Sequence, residues 1–127
     1  MKTIESIVAD YLADYTELKT IHNGRCRQGL AKQEWKPPYQ AVFLISDPPE
    51  MKRIGIPSPR LQINNVSTKY GEVKQMAELT YEALDGLSGT LDGVKVIMGS
   101  YEDMNPIYED GTELWNCSVD VKITYRR

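Results

Sequence analysis

The sequence predicts an α+β domain spanning residues 1–127, with one mixed or antiparallel sheet packed by two helices in the order α-β-β-loop-β-α-β-β. Three observations carry this. The last strand alternates cleanly: Trp115, Cys117, Val119, Val121, Ile123 and Tyr125 face one way, and Asn116, Ser118, Asp120, Lys122 and Thr124 the other. Val73, Met76, Ala77, Thr80, Leu84 and Leu87 recur at helical spacing, opposite Glu72, Lys74, Gln75, Glu78, Glu82 and Asp85. That helix is flanked by the alternating run Leu61–Asn64 and by a strand opening at Val94, so Pro59 to Val96 reads as strand, helix, turn, strand.

In chain order, Thr3 caps a first helix, and Ile4, Ile7, Val8, Tyr11, Leu12, Tyr15 and Leu18 form its apolar stripe. Ile21 to Arg27 reads as a weak edge strand interrupted by Gly24. Pro37 and Pro38 impose extended backbone before Tyr39–Ser46. The continuous run Ala41–Ile45 suits a strand buried on both faces, or one packed laterally against another subunit. Glu50 to Ser58 has no period and reads as a loop, with Lys52 and Arg53 beside Met51, Ile54 and Ile56. Ser67 and Thr68 offer caps for the second helix, and Gly86 suits its left-handed end. Leu87–Gly93 reads as a turn, Val94–Asp103 as a strand, and Asn105–Gly111 as a second turn region that makes Glu102, Asp103, Glu109, Asp110 and Glu113 an acidic hairpin tip.

Composition narrows the function. A formal net charge of −3 argues against a dedicated nucleic-acid binder. The charge is uneven: residues 1–60 hold nine Lys/Arg and seven Asp/Glu, and residues 61–127 six and eleven, which permits head-to-tail contacts between copies. No apolar run approaches the roughly 20 residues of a membrane span. Cys26 and Cys117 read as two buried thiols in a reducing compartment, although the sequence does not decide whether they pair. His22 and Cys26 are two ligand types without a second pair, so no metal is expected. No nucleophile sits beside a base, and Gly86, Gly89 and Gly93 follow a helix instead of opening one, so neither catalysis nor a phosphate loop is indicated; we expect no enzyme and no cofactor.

The runs Pro59–Asn64, Lys69–Glu72 and Ala83–Val94 resemble those of the tail terminator family of tailed bacteriophages, also called tail completion or head–tail joining proteins. Pro38-Tyr39 leading into an apolar strand and the last strand ending Ile123-Thr124-Tyr125-Arg126 are similar as well. Val66 departs from the pattern, standing where a bulkier aromatic is common, and Glu50–Ser58 is individual. The resemblance implies a structural virion protein of the tail or neck, made in the host cytoplasm. It would cap the tail tube as a homo-oligomeric ring, usually a hexamer, end tube polymerisation and join the tube to the head connector or stopper protein. Such a role needs protein interfaces, for which Met51, Lys52, Arg53 and Ile54 form one candidate surface and Glu102, Asp103, Glu109 and Asp110 another. The polar face of the last strand would then make at most passive contact with DNA in the channel, an ordinary solvated face being the commoner reading. Another phage morphogenesis protein, such as a minor capsid or head-completion connector, and a small-ligand-binding α+β module are the alternatives.

Overall fold

In the computed structural model, which describes residues 2–32 and 34–127 and only the backbone of Glu50 and Met51, the described residues form four helices and six strands. They are α1 (Ile4–Asp14), α2 (Thr16–His22), β1 (Cys26–Gln28), β2 (Tyr39–Ser46), α3 (Pro49–Arg53), β3 (Arg60–Ser67), α4 (Tyr70–Leu84), β4 (Gly89–Leu91), β5 (Val94–Glu109) and β6 (Leu114–Arg126). The strands make one mixed sheet, order β1-β2-β3-β6-β5-β4, curled into a half-barrel. Only β1 and β2 pair in parallel.

The alternation in β6 decides which face is core. Cys117, Val119, Val121 and Ile123 are fully buried, and they meet Leu61 and Ile63 of β3 and Val42 of β2 in one layer. The helices cover that layer with Ile7, Val8 and Leu12 from α1 and with Val73, Met76, Ala77 and Leu84 from α4. The opposite face is polar and open. Thr3 caps α1 as expected, its hydroxyl accepting from the Ser6 N–H at 3.3 Å. At the start of α4, Ser67 Oγ accepts from Lys69 N–H and donates to Glu72, tying down the turn before the helix, while Lys69 is the capping residue itself. Gly86 adopts the expected left-handed backbone, φ +77°.

Several expectations are corrected. The first apolar stripe is split at Tyr15, whose extended backbone separates α1 from α2, and Ile21 and His22 belong to α2 instead of an edge strand. The strand in that region is only the three residues of β1. β2 is buried only through its first half; Leu44, Ile45 and Ser46 project beyond the core. The presumed loop after it contains α3. The turn before Val94 contains β4, hairpinned to β5 through Asp92 and Gly93, both at positive φ, as a two-residue turn of the right hand for twisted strands requires. Finally, β5 does not stop near Asp103. It runs to Glu109, taking up extra residues at two bulges, Val96/Met98 and Tyr101/Asp103. Pro106 is tolerated inside it because its nitrogen lies on the outer edge, where no partner strand needs an N–H.

Candidate functional site

Both thiols are buried and unpaired, and desolvation pushes both above the usual thiol range. Among the described residues no three His, Cys, Asp or Glu side chains converge as a metal site. His22 is committed elsewhere: Nδ1 accepts from Gly24 N–H at 3.1 Å, so Nε2 carries the proton and donates to Gln40 Oε1 at 2.8 Å. Gln40 Nε2 in turn donates to Asn65 Oδ1 (2.7 Å) and Thr80 Oγ1 (2.8 Å), Thr80 donates to Met76 O, and Asn65 Nδ2 donates to Cys117 O. All four side chains are fully buried. The chain of bonds joins α2, β2, β3, α4 and β6 and is satisfied throughout, so it fixes how helices and sheet meet and offers no free group for chemistry. Burial, first of all, lowers the His22 pKa, and Arg25 adds to this against the Gln40 bond.

An open groove of about 780 Å³ lies between α1 and the β4–β5 turn, with Asp10, Asp14, Glu17 and Asp92 in its lining. Lys2 crosses it, its ammonium 2.9 Å from both Asp10 and Asp92. A smaller hollow on the open sheet face is lined by Gln62, Asn64, Asn105, Asn116 and Ser118, with Ile107 and Glu109 at its rim. The polar residues of β6 thus face a shared, amide-rich concavity.

The surfaces named from sequence fall at separate places, which the strand register defines. One row across the sheet is Tyr39–Val66–Asn116–Ile107, a second is Phe43–Gln62–Asp120–Asp103, and a third is Ser46–Arg60–Lys122–Ser100. Calling the first row upper and the third lower, α3 follows Ser46 at the lower end. Lys52, Arg53 and Ile54 are exposed there, with Lys52 bound to Asp47 at 3.0 Å; the side chain of Met51 lies outside the described residues. Glu109 and Asp110 stand at the upper end, where the β5–β6 hairpin turns. Glu102 and Asp103 do not belong to that tip: they sit at the mid-strand bulge, several residues away along β5, because β5 continues past them. The single acidic tip expected from sequence is therefore two acidic sites. Aromatic packing stiffens the upper end, where Trp115 lies 4.8 Å from the Tyr70 ring and 4.9 Å from the Tyr108 ring.

No family model matches the sequence, and no curated protein does. Among solved structures, the chain is similar to a chain of the virion of the native gene transfer agent (GTA) particle. The TM-score is 0.71 over 98% of this chain and 95% of that one, at 10% sequence identity. The shared property is the fold, over essentially the whole of both chains. No helix among the described residues is long and apolar enough to cross a membrane.

Proposed function

We propose that this chain is a non-enzymatic structural protein of a phage-like particle, a tail terminator that closes into a ring, usually six-fold in that family, on the end of the tail tube and joins it to the head. The observation that supports this most is the match of its entire fold to a chain of a gene transfer agent virion. The resemblance of Pro59–Val94 to tail terminators supplies the particular role.

The geometry suits such a role. A ring member needs two lateral neighbours and two axial ones, and a lateral interface whose rotation closes. The exposed α3 segment with Lys52, Arg53 and Ile54 stands at one end of the strand axis, and Glu109 and Asp110 at the other. With the ring axis along the strands, these two ends would face the tube and the head connector, opposite charges giving each contact its register more than its strength. The concave amide-rich face, uncharged over Gln62, Asn64, Asn116 and Ser118, would face a channel without gripping a phosphate backbone.

Two measurements test this. Native mass spectrometry over a concentration series reads closed oligomers directly. Polymerising a tail-tube protein with and without this chain reads termination: tubes should be shorter and capped in its presence. Unchanged tube lengths together with no complex would refute the proposal.

A further inference from the structure

The two lateral edges of the sheet carry matching surfaces, level by level, and we infer that the β5 edge of one copy seats against the β1–β2 edge of a second copy in the same orientation. This deepens the ring reading and rests on it.

Above its pairing with β4, which ends at Val96, the outer edge of β5 has few donors left for strand addition. Gly99 N–H is bound to Leu87 O, Tyr101 N–H to Asp85 Oδ1 and Met104 N–H to Asp103 Oδ1, while Pro106 has none to give. A neighbour must therefore contact this edge through side chains. Those side chains are graded. The upper half carries the exposed Asp103 and Glu109 on the open face, beside Asp120 and the hollow; the lower part, just above the residues paired with β4, carries Ile97 and Met98, 42% and 56% exposed. No Lys or Arg occurs between Lys95 and Lys122.

The opposite edge has the complementary grading. Arg27 of β1 is exposed and pairs with Ala41, which the register places in one row with Asn64, Ser118 and Asn105, one step above Asp103. Lys36, also exposed, lies just before Tyr39 in the uppermost row. Below them β1 has ended: Gly29 N–H makes the last bond, to Val42 O, and Leu44 and Ile45 stand 45% and 48% exposed on an edge that no described strand covers. Basic over apolar on one edge thus faces acidic over apolar on the other. Like orientation puts charge against opposite charge and apolar against apolar at once, and inverting one copy loses both. By this register Lys52 and Arg53 lie below the lateral contact, leaving them for an axial partner.

The test is a double variant, Ile45→Cys with Met98→Cys, oxidised at concentrations up to about 1 mM; the native thiols are buried and stay out of the reaction. A ladder of covalent multimers is expected from the double variant only. In parallel, Arg27→Glu/Lys36→Glu and Asp103→Lys/Glu109→Lys should each weaken self-association at least tenfold, with mixing of the two restoring a contact between them. Covalent dimers from either single cysteine variant would mean a two-fold contact and overturn the inference. So would closed rings by native mass spectrometry without a ladder, an outcome that leaves the ring reading intact. A chain monomeric throughout that nonetheless caps tubes overturns this contact alone, whereas failure to cap tubes overturns the ring reading.

Discussion

Replacing Gln40 by Leu should be among the most damaging single changes in the molecule, although it swaps one buried side chain for another of similar size. Gln40 is fully buried and accepts from His22 while donating to Asn65 and Thr80. With Leu in place, the His22 Nε2–H has no acceptor, and the ring cannot change tautomer to escape, because Nδ1 must remain an acceptor for Gly24 N–H. Asn65 Oδ1 keeps only Thr80 Oγ1 at 3.4 Å, a hydroxyl already donating to Met76 O at 2.8 Å. Two buried polar groups are orphaned, each costing about 1–3 kcal/mol, so a loss of about 3 kcal/mol is expected. That is a large share of the roughly 5–15 kcal/mol typical of a domain. At a urea slope of about 1.5 kcal/mol per molar, the unfolding midpoint should fall by about 2 M. A fall of less than about 0.5 M, with an unchanged slope and native near-ultraviolet circular dichroism, would refute the reasoning, since it would mean that the network contributes no more than its apolar replacement.

Three further outcomes follow from other sites. His22 is held neutral by burial, so its folded pKa lies below the ordinary 6.5; its contribution is complete above that pH and declines as pH falls through it, with a slope of at most about 1.4 kcal/mol per pH unit. Urea midpoints compared between the wild type and His22→Gln should diverge less as pH drops from 7 to 5, and a constant difference would refute the linkage. Gly99→Ala places a methyl against the backbone oxygen of Leu84, the last residue of α4, which cannot rotate away; a loss of at least about 1–3 kcal/mol in thermal or chemical unfolding is expected, and an unchanged midpoint would show that the helix end yields freely. Lys52→Glu with Arg53→Glu should leave folding and self-association within error and weaken capture on tube ends or on the head connector in a pull-down, since both side chains are exposed at the lower end of the sheet; undiminished binding to both partners would remove α3 from the axial surfaces.

What could be read from sequence was whatever a strong period carries. β6 has thirteen residues with one apolar and one polar face, so its strand state and inward face follow from alternation alone, and α4 follows from its spacing. The failures have particular causes. β4 is three residues whose evidence is a hairpin turn at Asp92-Gly93, and a Gly-rich stretch after a helix hides it. Asn105 and Pro106 look like turn residues, yet on an outer edge a proline costs no ladder bond, so β5 carries on and Glu102 and Asp103 part from Glu109 and Asp110. Tyr15 breaks the first helix without a Gly or Pro to announce it. The buried network had one signal that went unused. Gln40 shares a parity with Val42, and Asn65 with Leu61 and Ile63, so two amides fall on the core side of adjacent strands, where each needs a partner. The assembly surfaces were named by residue type, but their separation into levels is a property of register and was not available before pairing was known.

The donor-poor edge of β5 bears on how an assembling protein avoids assembling without limit. A half-barrel exposes two sheet edges, and free main-chain groups on both would let copies add as strands in any register, the route to fibres. Here one edge has spent the donors of Gly99, Tyr101 and Met104 on Leu87, Asp85 and Asp103 and carries a proline at 106. Main-chain pairing is indifferent to side chains, whereas a contact made of Arg27, Asp103, Ile45 and Met98 holds only in one orientation and one register. A head-to-tail contact with a fixed rotation either closes a ring or winds a helix, and nothing but that rotation decides which. On the proposed reading, then, blocking the β5 edge is what hands control of the rotation to side chains. Opening it should undo that control: Pro106→Val, which restores an outward N–H, together with Asp85→Ala, which frees that of Tyr101, should convert discrete oligomers into polydisperse ones at equal concentration. Oligomers that stay discrete would mean that the edge is protected by the neighbour's fit, and that the spent donors are incidental.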